Sequence, residues 1–261
     1  MNKKRVAFIT GGGGYLGGET ALTLAREGVS VGVCDIREEN VKNIVDKIIA
    51  EGGIAKGYIA DVSDSADITA AIEKCAEDFG RLDIMIHSAG GSTRIAGPDA
   101  KWTHLVNQED YVIDKVLKVN LYGAFWSSRA AARIMIKQGE GGNIVNLAST
   151  VGVNGMCCST DYGAAKGGIM SLTKGLAKEL GPHNIQVVCV APGCVARPED
   201  TFLTDKYKYG TNFLNQMCTA TDIADLIAFL VSDKNHFITG ETYIIDGGRR
   251  LALKGTDGEL F

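Results

Sequence analysis

Short apolar runs recur along the chain, and each leads into a longer stretch whose apolar positions return every three or four residues. The short runs are residues 5–10 (RVAFIT), 30–34 (SVGVC), 54–60, 82–87, Ile144 to Ala148, 185–191 (IQVVCVA) and the closing phrase ITGETYIIDGG. Runs of this length that are apolar without alternation predict strands buried on both faces. Helical spacing covers about 15–27, 38–51, the segment between the third and fourth strands, 108–138, 162–180 and 221–232. Strands alternating with helices and joined by right-handed crossovers predict an α/β fold with one doubly wound parallel sheet of about seven strands and helices on both faces. Residues 91–107 and 196–218 are the irregular stretches. The first is predicted to wall a substrate crevice, and the second to form a lid with helical pieces.

The first strand runs into Gly11-Gly-Gly-Gly14-Tyr-Leu-Gly17 and then into a helical pattern. Strand, glycine turn and helix together are the context of a Rossmann-type dinucleotide site. Glycines let the backbone approach a pyrophosphate, and the helix N-terminus offers free N–H groups to it; the plain alternative is a tight turn without a ligand. Asp35 follows the second strand, 35 − 17 = 18 residues after the last glycine. That is close to the spacing of about 20 for a carboxylate on the adenosine ribose. Such a carboxylate accepts from the 2′-hydroxyl and repels a 2′-phosphate, so the predicted cofactor is NAD. Arg37 could soften that preference, or it could be a solvated helix start.

Residues 142–166 hold the chemistry. A strand delivers Ser149, a glycine-bearing loop follows, and a helix opens near Tyr162 with Lys166 four residues on. Positions i and i+4 share a helix face, so phenol and ammonium can point into one site. A neighbouring cation favours the phenolate and lowers its pKa from about 10, making tyrosine a usable acid or base. Tyr111 and Lys115 repeat the spacing, but the residue thirteen before Tyr111 is Pro98, so Tyr111 reads as an ordinary helix residue.

Ser149, Tyr162 and Lys166 at this spacing resemble the active site of the short-chain dehydrogenase/reductase family, and the likeness runs from Val6 to Gly248. It implies catalytic roles for Asn120, Ser149, Tyr162 and Lys166. Asn120, in KVNLYGAF, would hold a helix irregularity and a water that links Lys166 to solvent. The resemblance further implies cofactor contacts from Gly11, Gly14, Tyr15, Leu16 and Gly17, from Asp35 and Ile36, and from Asp61 and Val62 at the adenine. It adds Ser88, Ala89 and Gly90, the catalytic pair Tyr162 and Lys166, and Pro192, Gly193 and Val195 beside the nicotinamide. Asp61 could instead be merely exposed, with Ser63 or Asp64 capping the next helix. Three departures stand out. The glycine spacing matches the extended branch of the family, whereas length and the closing phrase match the single-domain branch. His87 and Ser88 stand where the family carries two asparagines, and His87 reads either as a base or, more simply, as a packed and hydrogen-bonded core residue. Arg197 stands where a threonine is common.

Composition narrows the classes. The chain has 261 residues, 45% of them hydrophobic, with 33 glycines and 4 prolines. That suits a single domain spanning 1–261, without repeats or a linker. The net charge of −4 without a basic block argues against nucleic acid. No apolar run reaches signal-peptide or membrane-spanning length. Seven cysteines lack zinc-ligand spacing, which predicts reduced thiols, a cytoplasmic protein and no metal.

The expected activity is NAD-dependent interconversion of a secondary alcohol and a ketone. Polar loop residues and the basic positions Arg94 and Arg197 suggest a polyol, sugar or sugar acid as substrate, with Cys157 as a further pocket candidate. A 3-oxoacyl thioester reductase is the alternative within the enzyme class. A non-catalytic NAD sensor is the alternative outside it, although a sensor has no need of all four catalytic residues. The resemblance also implies a homodimer or homotetramer.

Overall fold

A computed structural model describes residues 4–195, 197, 212–214 and 216–251. Seven parallel strands form one sheet in the order β3-β2-β1-β4-β5-β6-β7. They are β1 (Val6–Thr10), β2 (Ser30–Asp35), β3 (Ala55–Ile59), β4 (Ile84–His87), β5 (Gly142–Leu147), β6 (Ile185–Pro192) and β7 (Thr242–Ile245). All neighbours pair in parallel, for example Ile9 with Val33 and Ile86.

Side chains alternate across a strand, and here the alternation divides the core in two. Ala7, Ile9, Val31 and Val33 face one layer, packed against helices α1 (Tyr15–Arg26) and α2 (Glu38–Ala50). Helix α8 (Ala220–Val231) completes that layer with Ile223 and Ile227. Val6, Phe8 and Met85 face the other layer, built from α3 (Ser65–Phe79), α5 (Gly123–Gln138) and α7 (Thr160–Leu180). Both faces of the central strands are therefore buried, which is why these strands read as unbroken apolar runs.

Chain order reverses across β1, whose neighbours are β2 and β4. The turns after β1 and β4 consequently diverge to open a crevice at the carboxyl ends of the strands. Gly11 sits at that switch point with φ +63, and a Cβ there would lie 2.7 Å from the backbone of Ala89. Only glycine meets both demands.

The periodicity over 108–138 predicts one helix, but the structure has three pieces. Helix α4 (Asp110–Leu117) passes through a π-helical turn (Lys118–Tyr122) into α5. The loop after Ser149 contains a short helix, α6 (Val151–Asn154), that the sequence pattern does not announce. Most of 196–218, read from sequence as a lid, lies outside the described residues.

Candidate active site

The glycine turn is shaped to admit something close to its backbone. A Cβ on Gly17 would lie 2.2 Å from the Gly11 carbonyl oxygen, so the first turn of α1 rests directly on the turn. Gly14 is the N-cap of α1 and supplies no side-chain cap. The first N–H groups of this helix therefore lack the side-chain partner that usually satisfies one of them. Tyr15 and Leu16, which open the helix, line a cavity. Asp35 ends β2, nearly buried, and its carboxylate accepts from the Arg37 N–H at 3.1 Å. A Cβ on Gly13 would lie 3.2 Å from the Asp35 Cβ, so the carboxylate's stem borders the glycine turn. Ile36 beside it is exposed. A helix start without a side-chain cap, a cradle that side chains would fill and an acidic group at the end of β2 fit a dinucleotide.

Across the same cavity stand Ala148 and Ser149 after β5, Tyr162 of α7, Pro192 at the end of β6, and Gly193, Val195 and Arg197 after it. Of the residues expected for cofactor and catalysis, Tyr15, Leu16, Ser149, Tyr162, Pro192, Gly193 and Val195 thus share one space. The Arg197 guanidinium lies 5.8 Å from the ring centroid of Tyr15, which sets it toward the glycine turn. The side chain of Arg94 lies outside the described residues. Cys157 is exposed, with its Sγ 4.0 Å from His104 Nδ1.

Lys166 is buried and donates from Nζ to the Leu147 carbonyl at 2.8 Å. Nζ stands 5.5 Å from the centroid of the Tyr162 ring. Burial lowers the ammonium to about 8. Burial also raises the Tyr162 phenol above its ordinary value, and only the Ser149 hydroxyl pulls the other way. The expectation that Lys166 depresses Tyr162 is therefore not met by the protein alone: desolvation dominates, and the ammonium is committed to a carbonyl.

Asn120 is fully buried in the π turn. Its Nδ2 donates to the carbonyls of Val116 (2.8 Å) and Gly91 (2.9 Å), and its Oδ1 accepts from the Gly91 N–H at 3.1 Å. The side chain is thus saturated by backbone, tying the helix irregularity to the turn after β4. A Cβ on Gly90 would lie 2.4 Å from Asn120 Oδ1 and 3.2 Å from Lys166 Nζ, so this glycine leaves room for both groups.

The model for the family described as enoyl-(acyl carrier protein) reductase matches residues 15–250. The 3-oxoacyl-[acyl-carrier-protein] reductase FabG of Thermotoga maritima is 35% identical, over 94% of this chain and 97% of its own. The chain belongs to the short-chain dehydrogenase/reductase family. A cyclohexanol dehydrogenase of an Acinetobacter species is likewise 35% identical, over 93% of this chain and 94% of its own. Among solved structures, acetoin dehydrogenase of Enterobacter cloacae superposes with a TM-score of 0.86 at 31% identity, covering 97% of this chain and 99% of that one. The protein is thus an oxidoreductase of a family that works on hydroxyl groups with nicotinamide cofactors.

Within this short-chain dehydrogenase/reductase the departures acquire geometry. His87 is fully buried between Thr10 and Asn120, with Nδ1 3.0 Å from Thr10 Oγ1 and Nε2 3.2 Å from the Asn120 carbonyl oxygen. Burial and the Lys166 charge hold it neutral, down to about 3. It is no base in the cavity. Asp61 accepts from the Ser63 N–H and hydroxyl, both at 2.7 Å, and pairs with Lys115 at 3.4 Å. Burial opposes its ionisation, but the Ser63 hydrogen bonds and the Lys115 charge prevail and hold its carboxyl below the usual range. Asp64, not Ser63, caps α3, accepting from the Ala66 and Asp67 N–H groups. Val62 is core, where a Cβ on Gly123 would meet it. Lys115 is spent on Asp61 and Ser63 while Tyr111 is exposed, so the second Tyr-x-x-x-Lys pair does not assemble. Ser88 and Ala89 lie against β1, donating their N–H groups to the carbonyl and hydroxyl of Thr10. Sequence reasoning missed Gly91 and the Leu147 carbonyl, which position Asn120 and Lys166 through backbone atoms and leave no mark in residue type.

Among the described residues no helix is long and apolar enough to cross a membrane.

Proposed function

We propose that the protein is an NAD-dependent oxidoreductase that interconverts a secondary alcohol and a ketone on a small polar substrate such as a polyol, sugar or sugar acid. The observation that carries this reading is the single cavity in which the glycine-turn residues Tyr15 and Leu16 face Ser149 and Tyr162.

Gly11, Gly14 and Gly17, with the N–H groups of Tyr15 and Leu16, hold the pyrophosphate. Asp35 and Ile36 border the adenosine ribose, Asp61 and Val62 the adenine, and Ser88 to Gly90 the floor of the crevice. Pro192, Gly193 and Val195 flank the nicotinamide, and Lys166 binds its ribose. When bound, the nicotinamide supplies the hydride exchange at the substrate carbon. Ser149 donates a hydrogen bond to the substrate oxygen. Tyr162 gives that oxygen a proton in reduction, and its phenolate takes the proton in oxidation. Asn120 fixes the π turn behind Lys166, along the route by which the proton leaves. The position of Arg197 over Tyr15 supports a contact with the cofactor's phosphates in preference to a substrate anion. Exposed Phe125 and Ile136 on α5 support a homodimer or homotetramer.

NAD is preferred to NADP because the Asp35 carboxylate borders the glycine turn. The test is the absorbance of reduced nicotinamide with NAD or NADP over a panel of polyols, sugar acids and simple secondary alcohols. Higher kcat/KM with NADP would sink the cofactor assignment. The FabG relative favours a second reading, reduction of a 3-oxoacyl thioester. Turnover of such a thioester at higher kcat/KM than any member of the panel would select it.

A further inference from the structure

Two cysteines and a histidine that the proposed reaction does not use lie together at the surface. Cys157 Sγ is 3.5 Å from Cys158 Sγ and 4.0 Å from His104 Nδ1. All three ligand atoms fall within 4.8 Å of one another. His104 and Cys157 are exposed and Cys158 is partly so. We propose that His104, Cys157 and Cys158 form a Zn2+ site that clips the 97–107 loop onto the turn leading into α7.

The geometry argues for it first. Zinc bonds of about 2.3 Å to sulfur and about 2.0 Å to nitrogen put neighbouring tetrahedral ligands about 3.5–3.8 Å apart. The separations found need adjustments of a few tenths of an ångström to about 1 Å, within reach of exposed side-chain rotamers.

Adjacent side chains on an extended backbone point apart. Cys158 avoids this by taking the left-handed conformation, φ 60, one of two described non-glycine residues to do so. That costs about 1–2 kcal/mol for an L-residue, and here it accompanies two sulfurs brought onto one side. On the other loop, His104 is held by its backbone: its carbonyl accepts from the Asn107 N–H at 2.9 Å, closing the short 3-10 turn Leu105–Asn107.

The chemistry of the donors selects the metal. Two thiolates and an imidazole are soft to borderline ligands, suited to Zn2+ and unsuited to Mg2+ or Ca2+. Each thiol gives its proton to solvent as its Zn–S bond forms. Three protein ligands leave a fourth position for water. Sequence spacing hides the site, because His104 lies 157 − 104 = 53 residues before Cys157.

The experiment uses the full-length protein, reduced and stripped of metal with a chelator, titrated with Co2+ and then Zn2+. One cobalt per chain is expected, with the thiolate charge-transfer band and intense visible bands of a tetrahedral site, displaced by one equivalent of zinc. Loss of an outer-sphere partner alone weakens metal sites about 10–100-fold. Cys157→Ser, Cys158→Ser and His104→Ala should therefore each weaken zinc at least about 100-fold. A Cys194→Ser/Cys218→Ser double variant should bind as the parent does. Zinc should also slow tryptic cleavage at exposed Lys101 in the parent but not in His104→Ala. Circular dichroism verifies that each variant is folded. A reduced parent without the cobalt spectrum, a Cys157–Cys158 disulfide that resists reduction, or variants that bind zinc as tightly as the parent would each overturn the site.

Discussion

His87 Nε2 stands 3.2 Å from the backbone carbonyl oxygen of Asn120, at the π turn between α4 and α5. A carbonyl only accepts, so Nε2 carries the proton and Nδ1 accepts from the Thr10 hydroxyl. Thr10 Oγ1 in turn accepts the Ala89 N–H at 3.3 Å. One imidazole thus joins the end of β1, the turn after β4 and the π turn that holds Asn120. Gly123 makes room for it, since a Cβ there would lie 2.9 Å from His87 Cε1.

His87 is accordingly a positioning residue. His87→Leu leaves the Thr10 hydroxyl without an acceptor and the Asn120 carbonyl short of a donor. Each buried unpaired group costs about 1–3 kcal/mol. A lower melting temperature and a kcat reduced about tenfold or more are expected, with the shape of the pH–rate profile unchanged. His87→Asn, which can donate to Asn120, should recover part of kcat. A His87→Leu variant with parental kcat would show that the bridge does not position Asn120.

The same residue sets an acid limit on stability. Its folded pKa is lowered to about 3, against about 6.5 unfolded. Below about 6.5 the unfolded chain binds a proton that the folded one refuses. The stabilisation is thus present above pH 6.5 and is lost progressively as pH falls from 6.5 toward 3. The slope from this group approaches about 1.4 kcal/mol per pH unit. Denaturant midpoints between pH 7 and pH 5 should fall more steeply for the parent than for His87→Asn.

The sheet was legible because buried parallel strands are apolar on both faces, and the approach of Ser149, Tyr162 and Lys166 because their spacing is a property of the chain. What escaped depends on backbone atoms or on distance in sequence. The π turn adds one residue to a helix without changing its apolar period by much, so 108–138 reads as continuous. Lys166 is held by the Leu147 carbonyl, a group every residue has. Spacing reports that Tyr162 and Lys166 share a face, but not that burial raises the phenol before a cofactor is bound. His104 joins two cysteines only through the fold.

Ser149 is the one group found to lower the Tyr162 pKa, against a larger rise from burial. Removing it should move the phenol further up. For alcohol oxidation, which uses the phenolate, the rising limb of kcat/KM against pH should shift to higher pH in Ser149→Ala. The rate at neutral pH should fall by about 10²–10⁴, the range for losing assistance to proton transfer. Unmoved limbs in both variant and parent would remove Ser149 from control of Tyr162.

Asp35 borders the glycine turn, and under the proposed function it carries the cofactor preference. Asp35→Ser removes the repulsion of a 2′-phosphate and keeps a hydroxyl for the ribose. The ratio of kcat/KM for NADP over NAD should rise at least about tenfold, equivalent to about 1.4 kcal/mol. Steady-state kinetics with both cofactors measure it, and an unchanged ratio would place the ribose elsewhere.

Gly90 and Gly175 separate room from propensity. Neither has a positive φ, so neither needs glycine for its backbone angles. A Cβ on Gly90 would lie 2.4 Å from Asn120 Oδ1 and 3.3 Å from its Cγ. Asn120 cannot swing aside, because three hydrogen bonds to Gly91 and Val116 hold it. The strain of Gly90→Ala therefore goes into the π turn and toward Lys166 Nζ, 3.2 Å from the same point. Overpacking of this kind costs about 1–3 kcal/mol, and kcat should fall at least about tenfold as Asn120 and Lys166 are displaced. Gly175 lies within α7 with no heavy atom within 4 Å of an added Cβ. Gly175→Ala should stabilise the fold by about 0.5–1 kcal/mol through helix propensity and leave kcat as it was. The melting temperature should fall for Gly90→Ala and rise for Gly175→Ala, and kcat should fall for Gly90→Ala alone; equal tolerance at both would mean that Asn120 and Lys166 do not need the room that Gly90 leaves.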